Sequence, residues 1–265
     1  MLYSQSAGKL NIDSPSIVLV HGLFGSGDNL AVIRRHFERD HHVLSVDLPD
    51  HGRSPRFDEW SFEVAAQRLI QTIQGAGIHQ CYLVGHSLGG KVSMLAAHLA
   101  PSLVQKLVVL DIAPVAYKPR HDAVLSGLNS VVLGQLKTRK QASEQLSQHI
   151  NDAGTISFLL KSLFQDDNAK WQWRFNLKLI ERDYNKIIDW PLNLVDGGVD
   201  RVDVLFSGHT TFIKGANSDY ITREHQTAIM QQFPNAKAKI VAAGHWLHAE
   251  KTQLVNTLLT RVLLE

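Results

Sequence analysis

Short apolar runs, too brief for helices, alternate along this chain with longer stretches whose apolar residues recur every three or four positions. Residues 16–20 (Ser-Ile-Val-Leu-Val) and 42–47 read as strands buried on both faces, because β-branched residues follow one another with little polar interruption. Between them His21-Gly22-Leu23-Phe24-Gly25-Ser26-Gly27-Asp28-Asn29 forms a Gly-rich turn whose last residues suit the N-cap of a helix over 30–38. A turn-rich loop covers 48–55. Over 61–75, Phe62, Ala65, Ala66, Leu69, Ile70 and Ile73 share one helical face; Ser61 is a fair N-cap, and Gly75 and Gly77 end the element. A strand starting at Cys81, a helix over 91–100 and a fourth buried strand over 107–111 follow. Strands alternating with helices predict a mostly parallel sheet flanked by helices on both faces, an α/β fold.

From 115 to 190 the pattern changes. Val124, Leu125, Leu128, Val131, Val132 and Leu136 keep helical spacing, as do Ile156, Leu159, Leu160, Leu163 and Phe164, and no convincing strand interrupts them. A helical insertion after a strand sits over the carboxyl ends of an open sheet, where ligands bind, and is expected to serve as a lid or cap. The alternation resumes with a strand over 210–214, a helix over 222–233, a strand over 238–242 and a terminal helix over 250–264. Residues 196–208, rich in Gly and Asp, support no assignment. The expected organisation is an α/β core of 1–114 and 196–265 with a helical cap of 115–195 inserted in it.

Composition narrows the function classes. With 27 basic and 25 acidic residues the net charge is +2, which gives no field suited to nucleic acid or to a membrane surface. Cys81 is the one cysteine and lies in an apolar run, so an intrachain disulfide is excluded and a buried thiol expected. No apolar stretch has the length of a membrane span, and residues 1–16 lack the apolar segment of a secretory signal; the expectation is a cytoplasmic protein. His41 and His42 have no Cys or Asp spacing suited to a metal, and neither a metal nor another cofactor is expected.

The one run that states a chemistry is Gly85-His86-Ser87-Leu88-Gly89. A strand runs into it and a helix leaves it, the context of a nucleophile elbow. A serine hydroxyl needs a base, and the base needs a carboxylate to orient it. Of 14 histidines, His245 in Gly244-His245-Trp246-Leu247-His248 lies just past the last strand, on the rim where the elbow opens; His248, one turn on, is better suited to packing. Asp111 and Asp219 both follow strands on that rim, and spacing does not separate them. The backbone N–H groups of Leu23 and Leu88 are placed to receive an oxyanion. His86 is suited to shaping the elbow and His98 to packing.

The runs His21-Gly22-Leu23-Phe24-Gly25-Ser26, Gly85-His86-Ser87-Leu88-Gly89-Gly90-Lys91, Asp111-Ile112-Ala113-Pro114-Val115, Gly215-Ala216-Asn217-Ser218 and Gly244-His245-Trp246-Leu247-His248-Ala249-Glu250 resemble, in this order, the α/β-hydrolase superfamily and within it the bacterial YbfF-type esterases. The resemblance implies a Ser87, Asp111 and His245 triad, with Ser218 close to the histidine. It leaves open a supporting role for Asp219, and Asp50, which stands where many hydrolases carry Gly or Asn, implies only a local change of turn. It also implies hydrolysis of a small-molecule acyl ester or thioester through an acyl-enzyme. Carbon–carbon bond hydrolysis with the same triad, and a ligand-binding receptor with slow turnover, are the alternatives. Phe24, His86, Arg120 and Trp246 are candidate substrate contacts. Leu125, Leu128, Phe158, Leu159, Phe164, Trp171 and Trp173 divide between an acyl channel and the cap's own core, with most expected in the core. Lys118, Arg120 and His121 follow soon after Asp111, and a cation there would favour an anionic leaving group such as coenzyme A.

Overall fold

In the computed structural model, which describes residues 1–191 and 205–265, the apolar runs become the middle of one sheet. Its strands are β1 (Ser4–Ala7), β2 (Ser16–Val20), β3 (Val43–Val46), β4 (Cys81–His86) and β5 (Val104–Leu110), and, after the insertion, two more. Helix α1 (Ala31–Phe37) follows β2, α2 (Phe62–Gly75) follows β3, and α3 (Leu88–Leu99) follows β4. The insertion holds α4 (Asp122–Ser130), α5 (Arg139–Leu146), α6 (Ala153–Lys161), the short pair β6 (Leu163–Gln165) and β7 (Trp171–Trp173), α7 (Leu177–Arg182) and α8 (Tyr184–Ile188). The core resumes with β8 (His209–Gly215), α9 (Gln226–Gln232), β9 (Ala236–Val241), α10 (Leu247–Glu250) and α11 (Thr252–Leu264).

The seven-stranded sheet runs β1-β3-β2-β4-β5-β8-β9, with only β1 antiparallel to its neighbour. β2, β3 and the second half of β5 are buried throughout, as strands covered on both faces must be. Successive residues of β4 serve opposite layers: Leu83 packs with α2, α3 and the insertion, Val84 with α1 and α11. Burying each such side chain contributes about 1.5–3 kcal/mol, so these two layers hold the carboxyl ends of β4, β5 and β9 at one rim.

The insertion shares its hydrophobic core with the sheet, since Leu128, Leu159, Trp173 and Ile180 pack continuously with Leu88 and Ile112. At its far end Trp190 is buried, its Nε1 donating to Gln232 Oε1 at 2.9 Å while Gln232 Nε2 donates to the Pro114 carbonyl at 3.0 Å. Two expectations are corrected. The insertion is not purely helical: α6 stops at Lys161, and Leu163 and Phe164 belong to the antiparallel β6–β7 pair, closed by Asp166 accepting from the N–H groups of Asn168 and Lys170. The run 124–136 is likewise not one helix, because Val131 turns to extended backbone after Ser130. Residues 4–7 form an edge strand that the apolar pattern does not signal. The proposed boundary at 195, and most of the unassigned 196–208, lie outside the described residues.

Candidate active site

Ser87 occupies the single step between β4 and α3, with φ 53° and ψ −123°, a strained conformation for a residue with a Cβ. The turn is this tight because two glycines leave room behind it. A Cβ on Gly85 would lie 2.4 Å from the Gly89 carbonyl oxygen, and one on Gly89 would lie 2.3 Å from the His21 carbonyl oxygen. The helix therefore begins directly against β2, and the Leu88 N–H, the first of α3, has no carbonyl one turn back to bond. The loop after β2 comes equally close: a Cβ on Gly22 would meet Ser87 Cβ at 3.0 Å and His86 Nδ1 at 3.1 Å. That contact holds the neighbouring Leu23 beside the serine.

Asp111 follows β5, also at positive φ, and is fully buried. Its Oδ1 accepts from the Gly215 N–H at 2.8 Å, and its Oδ2 accepts from both the Ser218 hydroxyl and His245 Nδ1, the latter at 2.7 Å. With Nδ1 protonated against the carboxylate, the lone pair of His245 is on Nε2, which lies 3.0 Å from Ser87 Oγ. His245 sits past β9 in a turn closed by Glu250, which accepts from the Gly244 N–H at 2.8 Å. His86 Nε2 donates to the His245 carbonyl at 2.9 Å, and burial, reinforced by His248 and His245, drives the His86 pKa well below its ordinary value.

Asp219 does not join this chain. Its carboxylate pairs with the Arg120 guanidinium and is 72% exposed, so Asp111 is the carboxylate that reaches His245. His248 is buried against the His86 ring with Nδ1 unpartnered, and burial pulls it down to about 3, which fits packing. Asp50 does more than bend its turn: at φ 64° it accepts from Asn176 Nδ2 at 2.8 Å and receives the Asn176 N–H on its carbonyl, joining the loop to the start of α7.

A cavity of about 250 Å³ opens on Ser87, walled by Leu23, Phe24, Val124, Phe158, Leu159 and Trp246. Phe24, His86, Arg120 and Trp246, the four candidate substrate contacts, all line it. Of the seven cap residues weighed for an acyl channel only Phe158 and Leu159 do so, and Leu128 and Trp173 are core. Arg120 lies 4.3 Å from the centre of the Tyr220 ring, which also packs against the Tyr117 ring at 5.5 Å and stacks on the His245 imidazole at 3.9 Å and 21°. Of Lys118, Arg120 and His121, the cations weighed for the mouth, Arg120 and His121 border the cavity, and His121 Nε2 meets the hydroxyl of Tyr220, a lining residue the sequence did not single out, at 3.1 Å. The only sequence signal for Tyr220 is its place two residues after Ser218. Lys91, quoted only as part of the elbow motif, is buried beside the same serine. Among the described residues no cluster of His, Cys, Asp or Glu is suited to holding a metal ion.

Residues 15–252 match the family model described as the alpha/beta hydrolase fold. The chain is 38% identical over 262 residues to Esterase YbfF of Escherichia coli, covering 98% of this chain and 97% of that one. It is 36% identical to the sn-1-specific diacylglycerol lipase ABHD11 of Mus musculus over 251 residues, 90% of this chain and 78% of the relative. A solved structure titled Marine microorganism esterase superposes with a TM-score of 0.88 at 31% identity, covering 99% of each chain. Among the described residues no helix is long and apolar enough to cross a membrane.

Proposed function

This chain belongs to the α/β-hydrolase fold family, with relatives named as esterases and lipases, and we propose that it is a serine esterase acting on neutral carboxylic esters through an acyl-enzyme on Ser87. The observation that carries the reading is the unbroken hydrogen-bonded chain Ser87–His245–Asp111 at the mouth of an apolar cavity.

His245 Nε2 takes the Ser87 proton as Oγ bonds to the acyl carbon, and the carbonyl oxygen becomes an oxyanion facing the N–H groups of Leu23 and Leu88. Asp111, fixed by Gly215 and Ser218, keeps the imidazole in the tautomer that can accept and stabilises the imidazolium. The imidazolium then protonates the leaving alkoxide as the ester C–O bond breaks. Water, deprotonated by the same nitrogen, attacks the acyl-enzyme, and the acid leaves as Ser87 regains its proton. No cofactor enters any step.

The cavity bounds the substrate. An apolar cavity of about 150 Å³ holds benzene, so about 250 Å³ accommodates on the order of ten carbon atoms, which suits short acyl chains. Arg120, the cation that would favour a coenzyme A leaving group, has its charge offset by Asp219, which supports neutral esters over acyl-CoA thioesters. Residues 115–191 act in this reading as the cap that closes the acyl side of the site, with Phe158 of α6 facing Trp246 at 5.3 Å.

Labelling with a fluorophosphonate followed by mass mapping tests the assignment. Modification of Ser87 is expected in native protein, absent in Ser87→Ala and slowed at least a hundredfold in His245→Ala. An unreactive Ser87 in folded protein ends the reading.

A further inference from the structure

Lys91 stands four residues after Ser87 on α3, and only 2% of it is exposed. Burying an ammonium is expensive unless its donors are met. Its Nζ donates to the carbonyls of Ile188 at 2.9 Å and Asp189 at 2.7 Å, where α8 ends and its last carbonyls lack helical partners. The same atom lies 4.8 Å from the centre of the Tyr117 ring and 5.8 Å from that of Phe62. Burial nevertheless pushes the ammonium down to about 7, with Asp189 acting the other way. Stability alone does not explain a cation kept at such cost in an otherwise apolar layer.

The contacts lead from Lys91 to the serine–histidine pair. Ile188 O, besides receiving Lys91, accepts from the Tyr117 N–H at 3.0 Å. The Tyr117 hydroxyl accepts from the Ala113 N–H at 2.9 Å, two residues past Asp111, and donates to the Tyr220 carbonyl. Tyr220 carries the ring stacked on His245, and its own N–H donates to Ser218 Oγ at 3.3 Å, the hydroxyl that fixes Asp111. On the other side the Lys91 N–H donates to the Ser87 carbonyl at 3.2 Å. From the nucleophile helix, one buried cation thus reaches the end of α8 and Tyr117, whose hydroxyl bonds the carbonyl of the residue stacked on the imidazole.

We propose that Lys91 is a positioning residue, clamping the end of α8 to the nucleophile helix and, through Tyr117, holding the Tyr220 ring on His245 so that Nε2 stays aimed at Ser87. The proposal rests on the serine-esterase reading above. Displacing the ring frees the imidazole to rotate about its bond to Asp111, so what is lost is alignment for proton transfer and not room for the substrate.

Lys91→Met, Tyr117→Phe and the double variant separate this role from a merely structural one. The rate of Ser87 labelling by diisopropyl fluorophosphate and the kcat for p-nitrophenyl butyrate are each expected to fall about tenfold in either single variant, with KM within twofold. The final extent of labelling, which counts folded and competent sites, stays at one per chain. The double variant falls no further than the worse single one, because the two residues act along one chain of contacts. Native labelling rates in the variants, losses confined to KM, or a double variant reduced by the product of the two single losses would each overturn the proposal. If Lys91→Met does not fold, Tyr117→Phe, which removes one hydroxyl, still decides it: a native labelling rate there is sufficient refutation. Native protein that fails to label at Ser87 refutes the esterase reading itself, a result distinct from all of these.

Discussion

Replacing Asp111 by Asn should cost about four orders of magnitude in kcat while leaving the fold in place. The left-handed backbone at this position tolerates Asn, so no new strain is introduced. The orientation of the amide follows from its partners. If the amide NH2 faced Gly215, two N–H donors would confront each other in a fully buried position, at a cost of about 1–3 kcal/mol. The amide oxygen therefore takes the Gly215 N–H, and the NH2 group faces Ser218 and His245. Ser218 can rotate its hydroxyl to accept. His245 Nδ1 can accept only if its proton moves to Nε2, which removes the lone pair from the atom 3.0 Å from Ser87 Oγ. A wrong tautomer plus the lost stabilisation of the imidazolium accounts for about 10⁴-fold, or about 5 kcal/mol of barrier. The assay is kcat for a p-nitrophenyl ester per site labelled to completion, beside a thermal melt. Asp219→Asn is the control, expected within twofold of native because Asp219 pairs with Arg120 at the surface. A kcat for Asp111→Asn within tenfold of native, or a larger loss in Asp219→Asn, refutes the assignment of the carboxylate.

Two further outcomes follow from the geometry. Gly22→Ala places a methyl 3.0 Å from Ser87 Cβ and 3.1 Å from His86 Nδ1, so the loop carrying the Leu23 N–H must retreat by a few tenths of an ångström; kcat should fall about ten- to a hundredfold with KM nearly unchanged, and an unaltered kcat argues against Leu23 as an oxyanion donor. Acid should unfold the protein early: burial lowers His21 and His121 to about 4 and His51 and His248 to about 3, whereas in the unfolded chain all four titrate near 6.5. Between about pH 5.5 and 4.5 the unfolded state thus binds about three to four more protons at these rings, and stability falls by about 5 kcal/mol per pH unit, enough to exhaust a typical total within about two units. Urea midpoints that stay constant from pH 6.5 to 5 would contradict this.

Sequence reveals what local chemistry constrains. The elbow is readable because a helix starting one residue after a strand demands small neighbours, and Gly85 and Gly89 have nowhere to put a side chain. β2 and β4 are readable because strands covered on both faces carry an uninterrupted apolar run, Ile17 to Val20 in β2 and Leu83–Val84 after Cys81–Tyr82 in β4. What was hidden depends on contacts distant in sequence. Asp111 and Asp219 each follow a strand, and only the pairing of β5 with β8 brings the Gly215 N–H and Ser218 hydroxyl to the first and leaves the second facing Arg120. The β6–β7 pair is three residues a side, shorter than any periodicity can report, and its Leu163 and Phe164 extend the helical spacing of α6 by coincidence. β1, Ser-Gln-Ser-Ala, has no apolar alternation because it is a half-exposed edge strand held by ladder bonds to β3. Lys91 reads as a polar residue on a helix, and nothing local shows that the insertion folds back over it.

The charges near Ser87 share one arrangement. His86, His121 and His248 are held neutral by burial, Arg120 is matched by Asp219, and the Lys91 ammonium is turned away onto two backbone carbonyls. Asp111 is left as the one buried carboxylate at His245, with three donors already in place around it. In the proposed acylation the imidazolium would meet an opposite charge that needs no reorganisation, and the oxyanion would meet N–H dipoles. Neutral histidines serve this better than apolar residues at the same positions, because they pack as rings while still donating, as His86 does to the His245 carbonyl, and so fix the base without adding a field of their own. Neutral burial has a cost in acid: two of these rings, His121 and His248, are among the four whose protonation is expected to destabilise the fold as pH falls.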